Sequence, residues 1–201
     1  MSLSSKDYEA LLKIIEEVAH SFPDRTSTFL TVCEQLDKLI GFNTAVFLPI
    51  NPTTKTFEFP APITYRCPVD GALPWVEHYV ELDPLVTRWD GTINGAVQNT
   101  DLVSARVLED SEFCQDFLTT IPCFHVSGSC MGMHGDPVAL MGFHRQRHDR
   151  PFSARELEII RLLMPHLSQA LHNLNLSEAI AANYGYGVVT IATDGQCHIN
   201  A

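Results

Sequence analysis

The sequence predicts an α+β fold in which an antiparallel sheet is covered by helices, with a long helix at each end. Three observations carry this expectation. Apolar residues recur at three- and four-residue steps over 5–22 and 24–40, then give way to strand-like runs after Gly41. Two apolar runs, Phe124–Met133 and Val138–Arg145, flank His134, Gly135, Asp136 and Pro137, a turn composition. The stretch Pro151-Phe152-Ser153-Ala154-Arg155-Glu156-Leu157 then opens a helix that persists to about residue 183.

Taken in order, the first helix carries Tyr8, Leu11, Leu12, Ile15, Ala19 and Phe22 on one face and Lys6, Asp7, Glu9, Lys13 and Glu17 on the other. Phe22-Pro23 ends it. The second runs from about Asp24 to Ile40, with Gly41 as its C-terminal stop. Strands are expected at Phe42–Ile50, Thr56–Phe59 and Ile63–Cys67. From Ala72 to Trp89 the chain reads as a helix broken at Asp83-Pro84, because proline disfavours helix in the residue before it. Residues 91–108 read as irregular, and Ser111–Thr120 as helical.

The chain of 201 residues is 45% hydrophobic, enough for one well-packed domain and an appended piece. Its apolar runs are far shorter than the ~20 residues of a membrane helix. The N-terminus carries acids and amphipathic spacing, unlike a secretory signal. A net charge of −11, from 24 acids against 13 bases, makes these residues a poor surface for DNA phosphates. His144, Arg145, Arg147, His148 and Arg150 gather on one stretch, expected to be a solvated hairpin end. Six cysteines show no paired spacing, which fits reduced thiols and a cytoplasmic setting. Cys33 sits on an apolar helix stripe. Cys130-Met131-Gly132-Met133-His134 gathers soft ligand types, but strand alternation divides them between two faces, so no metal or cofactor is expected.

The last helix starts on a capping box, Ser153 to Glu156, with Phe152 and Leu157 as a hydrophobic staple. Within it Leu157, Ile160, Met164, Leu167, Leu171 and Leu174 follow 3-4-3-4-3 spacing. A second stripe of Ile159, Leu162 and Leu163 lies beside the first. The expectation is that one stripe packs on the sheet while the six-residue stripe meets a second copy of the chain, with Pro165 bending the helix.

Four stretches together resemble a GAF domain: 125–133 (HVSGSCMGM), 135–145 (GDPVALMGFHR), 151–157 (PFSAREL) and 163–171 (LMPHLSQAL). More narrowly they are similar to the GAF-type sensor segment upstream of the helix-turn-helix in LuxR-type transcriptional regulators. The resemblance covers roughly residues 25–175. The final stretch, GYGVVTIATDGQCHINA, is similar to the opening strands of a PAS-like module. The division this implies is 1–176 for the sensor domain with its flanking helices and 177–201 for a linker and the first strands of a truncated PAS-like module. By the same resemblance, DNA is contacted only through a C-terminal domain beyond residue 201.

Such domains receive a signal between the sheet and its covering helices. Trp75, Tyr79 and Asp83 stand at i, i+4 and i+8, and with Trp89 offer aromatic area and polar tips for a small molecule. Phe113, Phe117 and Met131 are expected to add apolar lining. Trp75-x-x-x-Tyr79 before Asp83-Pro84 also resembles the autoinducer-binding domain of quorum-sensing regulators, with a shorter Tyr-to-Asp spacing than that family's. The function expected is therefore a dimerising sensory domain, not an enzyme: Cys114, Cys123 and Cys130 have no evident base beside them. A ligand-free structural dimerisation module and a redox- or metal-dependent sensor are the alternatives.

Overall fold

The computed structural model describes residues 3–19, 24–51, 54, 56, 57, 62–71, 73–121, 123–184, 188–191 and 197–200, the backbone alone from 181 onward. The elements are α1 (Ser5–Ala19), α2 (Arg25–Ile40), β1 (Thr44–Pro49), β2 (Ile63–Tyr65), α3 (Pro84–Thr87), β3 (Val97–Gln98), α4 (Asn99–Leu102), α5 (Ala105–Glu109), β4 (His125–Met133), β5 (Asp136–Arg145), α6 (Ala154–Tyr184), β6 (Val188–Ile191) and β7 (Cys197–Asn200). A 3-10 turn, Val69–Gly71, and two π-helical turns, Trp75–Tyr79 and Phe113–Leu118, complete the set. The predicted α+β class holds.

Local chemistry accounts for the boundaries. Asp24 caps α2 by accepting the Ser27 N–H at 2.8 Å, and Gly41 closes it at φ 69°, where a side chain would be strained. The β4–β5 turn is tighter than expected: His134 and Gly135 both take positive φ, and Asp136 and Pro137 already belong to β5. Ser153 and Glu156 close the anticipated capping box, with Ser153 N–H donating to Glu156 Oε2 at 2.8 Å. Helix α6 continues through Pro165. Of the expected strand Thr56–Phe59 the described residues show a bridge between Ile50 and Phe57; Glu58 and Phe59 lie outside the described residues, as do Phe22, Pro23 and the Asp194-Gly195 turn. Strands β6 and β7 pair antiparallel. The stretch read as irregular holds β3, α4 and α5, elements too short to show a period.

Among the described residues one five-stranded antiparallel sheet forms, in the order β2-β1-β5-β4-β3. Strand alternation gives it two different faces. Ala45, Phe47, Tyr65, Met131, Ala139, Met141 and Phe143 point into the main core, closed by α1, α2 and α6. Val46, Leu48, Thr64, Gly128, Cys130, Leu140, Gly142 and His144 point the other way, toward a cavity.

Two sequence expectations change on packing. Helix α1 buries Asp7, Leu11, Ile14 and Val18, leaving Tyr8 and Leu12 48% and 62% exposed. Its rotation follows from Asp7, whose carboxylate receives both Arg155 of α6 and the Ser4 backbone N–H. The α6 stripe assigned to a partner is spent within its own chain. Ile160, Met164, Leu167 and Leu171 are buried in the main core, and Leu157 and Leu174 pack against it. The sheet covers one side of α6 and α1 and α2 cover the other, so both stripes are used.

The basic stretch at 144–150 is solvated as expected at Arg147, His148 and Arg150, but not at Arg145. The Arg145 guanidinium is buried, donating to the Ile40, Gly41, Arg150 and Pro151 carbonyls and to both Glu156 oxygens. Its guanidinium carbon lies 4.1 Å from the centre of the Phe152 ring. Glu156, 1% exposed, also receives Arg150.

Arg145→Met takes a buried donor from four carbonyls and leaves Glu156 to Arg150 and Ser153 alone, so it is expected to cost about 3–5 kcal/mol in urea unfolding. A change within ±0.5 kcal/mol would show that the node carries no stability. The pH dependence has a definite sign. Burial raises the Glu156 pKa, but hydrogen bonds from Arg150, Arg145 and Ser153 outweigh it and hold the group at about 2, below its ordinary 4.5. A depressed folded pKa stabilises above the unfolded value and is lost as pH falls from about 4.5 to about 2. Glu156→Gln should therefore flatten the acid limb of stability against pH, and an acid limb identical to wild type would count against the assignment.

Candidate ligand-binding site

The outward face of the sheet is floored by small residues. Gly128 of β4 and Gly142 of β5 are cross-strand partners, so neither side of that pair raises a Cβ. A Cβ on Gly128 would lie 3.1 Å from Leu85, and one on Gly142 would lie 3.1 Å from His144 Nε2 and 3.2 Å from Val46. Glycine inside a strand marks a close approach of something else. Here it leaves a cavity of about 280 Å³ between the sheet and its covering segments.

The cover is built by four short segments. The first π-helical turn supplies Trp75. Asp83 begins α3, whose Leu85 and Val86 come down over the floor, and Trp89 follows it. The second π-helical turn adds Phe113, Phe117 and Leu118, and Ile121 closes the side. Asp83 fixes two of these segments together. One carboxylate oxygen accepts the Leu85 N–H at 2.8 Å, capping α3, and the other accepts Trp75 Nε1–H at 2.8 Å. Burial raises its pKa, and the two donors work against that rise.

Of the residues singled out from sequence, Trp75, Asp83, Trp89, Phe113 and Phe117 come together around the cavity. Tyr79 does not line it. It stacks on Phe117 with ring centroids 5.2 Å apart and meets Phe113 at 6.5 Å, forming the layer behind the wall. The cause is the wider π-helical turn, in which the i, i+4 relation of an α-helix no longer holds. Met131 is also misassigned: it points into the main core on the opposite face of the sheet from Cys130.

Sequence reasoning missed His144, Thr64, Leu85 and the glycine pair. Period-2 counting from Leu140 through Gly142 would have brought His144 to the floor. The thiols of Cys67, Cys123 and Cys130 line the cavity, and burial pushes all three pKa values up, which keeps them protonated and poor nucleophiles. Among the described residues no group of three or more His, Cys, Asp or Glu side chains is arranged to hold a metal. Among the described residues no lysine or arginine lines the cavity. Its chemistry is therefore that of an apolar receptacle with a few oriented polar groups.

By sequence, no protein-family model and no curated protein matches the chain. By fold there are clear similarities. The GAF domain of a phosphoenolpyruvate-protein phosphotransferase from Coxiella burnetii superposes with a TM-score of 0.60 at 11% identity, covering 89% of this chain and 99% of that one. SdiA of Escherichia coli, solved in complex with octanoyl-rac-glycerol, gives 0.60 at 13% identity over 87% of this chain and 69% of its own. CepR2 of Burkholderia cenocepacia, an N-acylhomoserine lactone dependent LuxR family transcription factor, gives 0.55 at 15% identity over 88% and 99%. Identities this low speak for fold alone, and the fold is the GAF-like α+β arrangement that the strand and helix motifs predict.

Proposed function

We propose that this chain is the sensory domain of a transcriptional regulator and that it takes a small apolar molecule between the Gly128–Gly142 floor and the Trp75–Ile121 cover. The observation that carries this is the cavity itself. It is apolar, faces away from the main core, and has one buried carboxylate, Asp83, oriented by Trp75 and Leu85. Side chains of a purely structural module would be expected to fill such a volume, since packed interiors hold few voids larger than water. The solved structures similar in fold add support, one of them bound to an acylglycerol and another dependent on an acylated lactone.

A change at the cavity would reach α6 through the segment after Trp89. Asn94 accepts the Ser168 hydroxyl of α6 at 2.7 Å and donates to the Gly132 carbonyl at 3.1 Å. Occupancy that shifts the cover thus bears on α6, and through it on the output of the regulator. The β6–β7 hairpin beyond α6 is read as the opening of the next, PAS-like module, and DNA contact as the work of a further domain. A homodimer remains part of this proposal, by a different face from the buried stripe. Among the described residues, the large apolar side chains left in solvent on α1 and α6 are Tyr8, Leu12, Leu176 and Ile180.

The chain's two tryptophans, Trp75 and Trp89, both line the cavity, so intrinsic fluorescence reports on it alone. Titration with octanoyl-rac-glycerol is expected to shift the emission saturably and to raise the melting temperature. Leu140→Trp, which fills the floor, should abolish the melting shift. Unchanged emission and melting in the wild type would overturn this proposal for acylated ligands of that size.

A further inference from the structure

Among the described residues the floor of the cavity carries one imidazole, and the fold uses only one of its two nitrogens. On β5, His144 shares the outward face with Leu140 and Gly142. Its Nδ1 lies 3.0 Å from the hydroxyl of Thr44, and its Nε2 reaches over the bare backbone of Gly142. Among the described residues Nε2 has no hydrogen-bond partner in the protein, and the ring lines the cavity.

The neighbour fixes where the ring proton sits. Thr44 is buried, and His144 is its one side-chain hydrogen-bond partner among the described residues. If the threonine hydroxyl donates to Nδ1, both groups are satisfied and the ring proton is on Nε2. In the opposite arrangement Nδ1–H donates to Thr44, whose own hydroxyl hydrogen is left buried without an acceptor, at a desolvation cost. The first arrangement wins. Burial also lowers the imidazole pKa to about 4, so the ring is neutral at physiological pH. A neutral donor with no lysine or arginine beside it among the described residues can receive an oxygen atom but cannot offset a full negative charge.

We infer that the ligand of this cavity is an uncharged molecule bearing a carbonyl oxygen, received by His144 Nε2–H over the Gly142 backbone, and that His144 selects such molecules against hydrocarbons and carboxylates. This rests on the proposal above that the cavity binds a small molecule. It adds the class of ligand and a specificity-determining residue.

Three probes of similar shape separate the possibilities: acetophenone carries the carbonyl, cumene lacks it and benzoate replaces it with a charge. Binding is followed in histidine ring-¹⁵N spectra of the whole chain, with the His144 signals identified by their loss in His144→Phe. The free protein should show the His144 proton on Nε2, and acetophenone should shift that nitrogen. Acetophenone is expected to bind about tenfold more tightly than cumene, the worth of one buried hydrogen bond, with benzoate weaker than both. His144→Phe should keep cumene binding and lose the preference. Thr44→Val, which removes the group that fixes the proton, should reduce the preference and mix the two tautomers. A proton found on Nδ1, or an acetophenone preference unchanged in His144→Phe, overturns the inference while leaving the cavity reading intact. Failure of wild type to bind either neutral probe overturns both together.

Discussion

The buried Arg145–Glu156 pair is the constraint on which the rest of the molecule depends. Arg145 ends β5, Glu156 lies in the first turn of α6, and the carbonyls that Arg145 also binds end α2. Three elements meeting at one guanidinium cannot slide independently. A one-residue slip of β5 would exchange its two faces. Arg145 and Phe143 would then leave the core, and Gly142 and His144 would leave the cavity. Fixing the charge fixes the floor. Such a pair offers little net stability over an apolar replacement, because desolvation consumes most of its attraction. Its value here is positional, since the guanidinium spreads its donors over four carbonyls and a carboxylate.

The second constraint is that the cover is held by polar caps and ring stacking. Helix α3 spans four residues, too few to persist without help. Asp83 supplies its cap and also pins Trp75, while Tyr79, Phe113 and Phe117 stack into one layer that joins the two π-helical turns. This leaves the floor-to-cover gap lined on both sides yet spanned by few side chains. Main core and cavity therefore divide the labour. The α6 side of the sheet is closely filled, and the opposite side is kept open by a glycine pair and a frame of fixed aromatics.

Legibility followed the range of the interactions. The ends of α2 and α6 and the β4–β5 hairpin were readable because a cap or a turn is decided within a few residues of itself. The wall residues Trp75, Asp83, Trp89, Phe113 and Phe117 were readable because large side chains with polar tips are conspicuous in any setting. What failed depended on partners far along the chain. Asp7 looked like a solvated acid until Arg155 turned it inward, and Arg145 looked like a surface base until Glu156 and the end of α2 enclosed it. The heptad-like stripe of α6 was real but ambiguous, since an apolar seam does not state whether its own sheet or a second copy will cover it. Tyr79 failed for a local reason: an α-helical period was applied to a π-helical turn.

One cluster joins these two halves of the molecule. Asn94 takes positive φ, a conformation asparagine tolerates, and sits in the segment that follows Trp89. Its side chain holds Gly132 at the irregularity in β4, and Ser168 of α6 donates to it while accepting the Gly132 N–H at 3.1 Å. Ser168 is buried and Asn94 half-buried, and in such surroundings a broken hydrogen bond is costly, so these bonds tend to be fully made or exchanged together. The cover cannot move far beyond Trp89 without disturbing a contact on α6. Helix α6 is held at its first turn by Arg145 and along its middle by the main core, and Arg25 of α2 pairs with Glu178 at 2.8 Å in the part beyond Ser168. That is also the part where its large apolar side chains, Leu176 and Ile180, emerge into solvent. The Asn94 cluster thus ties the segment after Trp89 to a helix that Arg145, the main core and Arg25 hold along its length.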